Sequence, residues 1–239
     1  MKQTLVIDNV CGWPNLNRLP DGRLISAVFN QPNHGFSAGE VDCYISEDGE
    51  RWSYWGTPVR HRPNETRMNV ACGVAHNGDY LVLVGGWDQR PERLEDATPI
   101  TTECNRQPAL ICRSADGGRT FSQAFELQYK VPGDEHVLVP YGDIRKLSGN
   151  RLAAACYTCT KDMEFTRSYI VFSEDDGRTW TSHGVISEDN YHETALWFHD
   201  DYRGIAVCRH NVDNRLDQFV TEDGGKTWSF HRNVTSAGM

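Results

Sequence analysis

Short apolar runs alternate along this chain with turn signals built from Gly, Asn and Asp, and the alternation predicts antiparallel hairpins. Residues 15–20 and 23–29 flank Asp21-Gly22, and residues 70–76 and 79–84 flank Asn77-Gly78. Residues 143–147 and 151–157 flank Gly149-Asn150, while 194–198 and 205–208 flank a turn within 200–204. Apolar runs bounded in this way read as paired strands. Each hairpin is followed by a variant of one phrase, at 46–52 (SEDGERW), 114–121 (SADGGRTF), 173–180 (SEDDGRTW) and 221–228 (TEDGGKTW). Repeats at spacings of tens of residues mark propellers or solenoids. In the phrase, a Ser or Thr and an Asp can bond the turn's own backbone N–H groups, and glycine tolerates positive φ. The closing Trp or Phe can then pack beneath the turn. The first copy is one residue shorter and reads as a degenerate member. A third strand ending in the phrase and a fourth beginning with its aromatic give four four-stranded antiparallel sheets. The expectation is an all-β chain without helices, with residues 1–239 as one domain.

Strand parity sorts the connections. The first-to-second turn and the repeated phrase lie at one end of each sheet. The approach to the first strand and the second-to-third loop lie at the other. Long irregular segments fall at that second end: 30–40, 85–107, 132–142, 158–167, 189–193 and 209–215. Variable loops on a rigid frame are where function concentrates. Segment 85–107, the longest, reads as a lid or substrate wall, or as a disordered insertion.

Composition narrows the partners. A net charge of −9 argues against a nucleic-acid partner, which needs a basic face. No apolar run is long enough to span a bilayer. The opening MKQTLVIDNV is too short for a signal h-region and lacks a cleavage site, which favours the cytoplasm. Of eight cysteines, Cys43, Cys72, Cys112 and Cys208 sit in or beside strand-like runs, where free cysteine behaves as a small hydrophobe. Cys156 and Cys159 form a CxxC without a second pair at zinc spacing. Structural thiols, a reducing compartment and no metal or cofactor are the expectation.

The repeated phrase resembles the Asp-box, Ser/Thr-x-Asp-x-Gly-x-Thr-Trp, of the sialidase superfamily of β-propellers, and the resemblance covers the whole chain. It implies a β-propeller of sialidase type with four four-stranded blades, part of a truncated six-bladed ring. Propeller first strands line a central channel, so residues just before them are expected near its mouth. An open ring would leave strand edges through which copies can associate. The resemblance further implies a sialidase-like exo-glycosidase that removes a terminal acidic sugar from a glycan. Two alternatives stand beside it. One is a non-catalytic Asp-box propeller that binds carbohydrate or protein. The other is a polysaccharide lyase in which His34 or His192, with a tyrosine, abstracts a proton α to a uronate carboxylate.

The resemblance assigns residues unevenly. Glu193, in His192-Glu193-Thr194, precedes Arg209 by sixteen residues. It resembles the family's pairing of a glutamate with an arginine of the carboxylate-binding cluster. In the family that glutamate polarises a tyrosine nucleophile. Arg215 is a second cation or a solvated charge. The family's first arginine is replaced by Gly12 in Gly12-Trp13-Pro14, and the third arginine and the tyrosine have no counterpart in these four blades. The acid/base role falls to Glu40, with His34 as the alternative donor. Trp13 stacks on a sugar or plugs the channel. Arg67, Asn69, Tyr141 and Asp143 hold equivalent positions in the second and third blades, Asp143 as an acid, a base or a backbone cap.

Overall fold

Apolar residues on alternate positions, punctuated by tight turns, fold here into strands alone. The computed structural model describes residues 5–10, 12–33, 38–63, 65–88, 105–160 and 164–236, and no helix occurs among them. His34 and most of the 85–107 segment lie outside the described residues. The first sheet is β1 (Gly12–Arg18), β2 (Leu24–Phe29), β3 (Val41–Ser46) and β4 (Ser53–Gly56), paired in chain order. The second is β5 (Glu65–Val74), β6 (Tyr80–Asp88), β7 (Asn105–Ser114) and β8 (Phe125–Glu126). The third is β9 (Val139–Lys146), β10 (Leu152–Cys159), β11 (Thr166–Ser173) and β12 (Ser182–Ser187). The fourth is β13 (Tyr191–Phe198), β14 (Gly204–His210), β15 (Leu216–Thr221) and β16 (Ser229–Asn233). All pairings within these sheets are antiparallel.

The chain divides into two compact units, Met1–Glu126 and Leu127–Met239, each holding two of the sheets. In the first unit Ile25, Val41, Val70, Tyr80, Val82 and Val84 form the core with Cys43, Cys72 and Cys112. In the second, Leu147, Ala153, Ile170, Phe172, Leu196, Ala206, Cys208 and Phe219 do so. Full burial of one such aliphatic side chain stabilises by about 1.5–3 kcal/mol. Among the described residues, Cys43, Cys72, Cys112, Cys156, Cys159 and Cys208 are all buried. Burial pushes the thiols of Cys112 and Cys208 up to about 12, so they pack as hydrophobes rather than as nucleophiles.

The Asp-box turns close as their chemistry dictates. The hydroxyls of Ser46, Ser114, Ser173 and Thr221 accept from the N–H groups of Gly49, Gly118, Gly177 and Gly225 at 2.7–3.0 Å. Asp116, Asp175 and Asp223 each accept from the N–H and the hydroxyl of a Thr four residues on. The short first copy has no such Thr. Asp48 there takes the N–H groups of Glu50 and Arg51 and the Arg51 side chain. Trp180 is buried and Trp228 packs on Phe198, whereas Trp52 joins neither core and bonds Gly49.

Two glycines let the second and fourth Asp-boxes press on the preceding sheet of their own unit. A Cβ on Gly56 of β4 would stand 2.4 Å from the Gly118 carbonyl oxygen, and one on Gly184 of β12 would stand 1.9 Å from that of Gly225. No side chain fits at either place.

Two expectations need correction. The fourth strands start after the aromatic, not on it: β4 follows Trp52, β12 follows Trp180, and β8 begins four residues beyond Phe121. The aromatic is spent on closing the turn, so the chain straightens only after it. The first strands also reach further back than the apolar pattern suggests, for the reason given next.

Candidate functional site

Every first strand breaks register against its second strand where the sequence had placed candidate residues. The shifts fall between Gly12 and Asn15, between Arg67 and Val70, between Pro140 and Ile144, and between Tyr191 and Thr194. The bulged residues are Trp13-Pro14, Met68-Asn69, Tyr141-Gly142-Asp143 and His192-Glu193, each set facing a single residue of the second strand. A bulge breaks alternation and re-aims side chains, so these residues lie inside strands rather than in loops ahead of them. Gly12 at φ 111° and Trp13 at φ 50° carry the turn in β1. Gly142, at φ 87°, lies so close to β13 that a Cβ there would meet the Thr194 carbonyl at 3.0 Å.

The second unit gathers the fullest cluster. Arg209 of β14 stands opposite the His192-Glu193 bulge, and its Nη1 donates to Glu193 Oε2 at 2.8 Å. Asn214, in the β14–β15 turn at φ 58°, accepts from Arg209 Nε at 3.0 Å and Nη2 at 2.6 Å. Among the described residues, three of the five guanidinium N–H groups are thus committed and two remain. His192 is buried against Tyr157, its Nε2 bonding no described residue and its Nδ1 4.0 Å from Glu193. Burial lowers its pKa to about 4; Glu193 opposes that, while Arg209 and His210 reinforce it. The ring is neutral at physiological pH. Burial, with the Glu193 charge, raises the Tyr141 phenol well above its ordinary value, against the pull of Arg209. Tyr141 therefore stays protonated, a hydrogen-bond donor rather than a ready phenolate.

The other candidates of this unit are committed elsewhere. Asp143 is paired with Arg145, which also donates to the Leu196 carbonyl at 2.9 Å; burial raises the Asp143 carboxyl despite that pairing. Arg215 binds Asp213 and, at 2.8 Å, Asp217, which also accepts from Tyr191. Its charge is answered by two carboxylates, where that of Arg209 is answered by one. Asp134 pins the 132–142 segment by accepting from Thr158 at 2.7 Å and Tyr169 at 3.0 Å.

In the first unit, Glu40 is buried and accepts from Arg60 Nη1 at 2.5 Å, from the His61 N–H at 3.1 Å and from His61 Nδ1. Burial works to raise its carboxyl, but these three donors outweigh it and hold the pKa below the ordinary value. Arg67 is buried, donating to the Pro108 carbonyl at 3.1 Å and facing Glu65 at 3.5 Å. Asn69 accepts from Trp87 Nε1 at 3.1 Å. Trp13 is half-buried, its ring 6.5 Å from Phe29. Asn214, Tyr157, Arg60 and His61 were not singled out from sequence. A turn asparagine five residues past Arg209 was the one available signal among them. Among the described residues no group of three His, Cys, Asp or Glu is placed to hold a metal ion.

Residues 22–237 match the BNR repeat-like domain. The sialidase of Paraclostridium sordellii is 19% identical over 233 residues, covering 91% of this chain and 57% of the relative. That of Clostridium perfringens is 21% identical over 233 residues, covering 91% and 60%. The chain thus spans under two thirds of the length of these relatives. Among solved structures, a Hadza microbial sialidase superposes with a TM-score of 0.72 at 20% identity, over 93% of this chain and 46% of the other. With four four-stranded sheets closed by Asp-boxes, this chain belongs to the BNR repeat-like domain family, of the sialidase-like β-propeller superfamily.

Proposed function

We propose that the protein is a sialidase-like exo-glycosidase acting on a terminal acidic sugar, and that Arg209 receives the sugar's carboxylate. The Arg209 guanidinium carries this reading. It is half-exposed, oriented through Asn214, paired with Glu193 across the bulge, and keeps two N–H groups that bond no described residue. A planar fork of that kind suits a carboxylate, and a neutral phenol and a neutral imidazole beside it add no competing anion. Glu193 is then the base or polarising carboxylate of the site. Family membership supports the glycosidase class.

A binding role without cleavage is the second reading. It is favoured by the Tyr141 phenol, whose raised pKa opposes nucleophilic use, and by the internal commitments of Arg67 and Arg215. Titration with N-acetylneuraminic acid, beside turnover of a fluorogenic sialoside, separates the two. The glycosidase reading expects binding that Arg209→Ala abolishes, and turnover that Glu193→Gln abolishes while binding persists. Binding without any turnover selects the second reading. Binding unaffected by Arg209→Ala rejects the site.

A further inference from the structure

The two arginines that flank the β14–β15 turn are held by different chemistry. We propose that Asn214 is the positioning residue that sets the specificity of the Arg209 site: its uncharged carboxamide orients the guanidinium without answering its charge, and so reserves the fork for a carboxylate ligand. The proposal rests on the reading of Arg209 given above and adds to it the residue that governs its preference.

The orientation of the amide follows from its partner. A guanidinium only donates, so the oxygen of Asn214 faces it, taking Nε at 3.0 Å and Nη2 at 2.6 Å. The NH2 group is therefore turned away from Arg209 and bonds no described residue, a donor that an aspartate would lack. The turn that carries it is fixed. Asn214 N–H donates to the His210 carbonyl at 3.0 Å, His210 N–H to that of Arg215 at 2.9 Å, and Asn211 N–H to that of Asn190 at 2.8 Å. Asn214 sits at φ 58°, a left-handed conformation that Asn and Asp both tolerate. Backbone geometry does not choose between them.

The hold on the arginine alone would favour aspartate, because a charged acceptor makes hydrogen bonds roughly twice as strong as a neutral one. Other turns of this chain use it. Arg23, Arg51 and Arg203 each give Nε to an aspartate two or three residues earlier, at 2.8–2.9 Å. Arg215, one residue beyond Asn214, binds Asp213 and Asp217. Arg209 has one carboxylate, Glu193, at 2.8 Å. His192 and Tyr141 add no charge, since burial keeps the ring neutral and the phenol protonated. An aspartate at 214 would grip the fork more firmly and set a second anion beside it. A ligand carboxylate would then meet two negative charges instead of one. The amide holds less firmly and leaves the charge to the ligand, which serves recognition rather than the fold.

The test is titration of the wild type, Asn214→Asp and Asn214→Gly with N-acetylneuraminic acid, beside Arg209→Ala. Glycine removes the acceptor yet accepts the left-handed turn. Asn214→Gly should weaken binding by about three- to ten-fold, through freedom restored to the arginine. Asn214→Asp should weaken it further, by about ten-fold or more, through charge. A residue that merely holds the arginine gives the reverse order: aspartate, the stronger acceptor, binds as well as wild type, and glycine binds worst. That order overturns the proposal, as does equal affinity in all three proteins. A wild type no tighter than Arg209→Ala defeats the Arg209 reading and takes this inference with it, a result distinct from the reversed order. Thermal melts of each variant separate loss of the fold from loss of affinity.

Discussion

Glu40 and Glu193 each neighbour a histidine and each bond an arginine, yet the two pairs are built in opposite senses. The Glu40 side chain is 6% exposed and takes three donors, while its arginine, Arg60, is 71% exposed and, among the described residues, bonds Glu40 alone. The Glu193 side chain is 19% exposed and takes one hydrogen bond, while its arginine is held by Asn214 at two further nitrogens. In the first pair the surroundings serve the carboxylate, and in the second they serve the guanidinium. Contact distances of 2.5 and 2.8 Å do not reveal this difference. The number of donors committed to each partner does. A saturated carboxylate has little left for a ligand, whereas an oriented guanidinium with N–H groups to spare suits an anion.

The largest expected effect follows from that asymmetry. Arg209→Ala should lower acid-sugar affinity and kcat/KM by about 10²–10³-fold, on the order of 3–4 kcal/mol, as for other preorganised donors of a charged group. Arg60→Ala should leave both unchanged. Similar losses from the two arginines would erase the distinction.

Next comes acid sensitivity in the second unit. The pKa of buried His192 lies near 4 in the folded protein, below the ordinary 6.5. The unfolded chain therefore takes up the proton first. Stability is fully present above pH 6.5 and falls as pH drops toward 4, by up to about 3 kcal/mol. Urea unfolding of the wild type and His192→Phe, at neutral pH and just above pH 4, should show this slope only in the wild type. A slope unchanged in the variant would assign the acid loss to another group.

The repeated turns were legible because their chemistry is local: Ser114, Asp116 and Thr120 bond one another's backbone within a few residues. The Glu193–Arg209 contact was legible because sixteen residues span one hairpin, which folds Arg209 back opposite Glu193. The bulges were not. A surplus residue breaks the apolar alternation, so the third sheet read from Asp143 although β9 begins at Val139. Nor was His61 legible, since its orientation depends on Glu40, 21 residues away across an irregular connection. Asn214 reaches Arg209 through a left-handed turn residue, which no hydrophobic pattern encodes.

Glu40 should matter to stability rather than to acid-sugar affinity. Glu40→Gln keeps the shape but removes the buried charge that Arg60 and His61 answer, leaving their donors poorly matched, at a cost of about 2 kcal/mol at neutral pH. Its folded pKa is depressed, so this contribution is present above the ordinary value of 4.5 and is lost as pH falls through the folded pKa. The gap between wild type and variant should close on acidification below pH 4.5. A gap constant with pH would mean that packing, not charge, sets it.

The smallest effect sharpens the contrast most. Arg60 is largely solvated, so its Coulomb energy with Glu40 is screened and partly offset by the entropy of ordering a long side chain. Arg60→Ala should cost about 0–1 kcal/mol of stability, less in high salt, because both His61 donors still satisfy the carboxylate. Thermal melts of Arg60→Ala, Glu40→Gln and the double variant, at low and high salt, would measure this. The double variant should match Glu40→Gln, since the arginine has nothing to answer once the charge is gone. If Arg60→Ala alone costs as much as Glu40→Gln, the arginine is an equal partner. The first pair would then be built like the second, with its guanidinium as essential as its carboxylate.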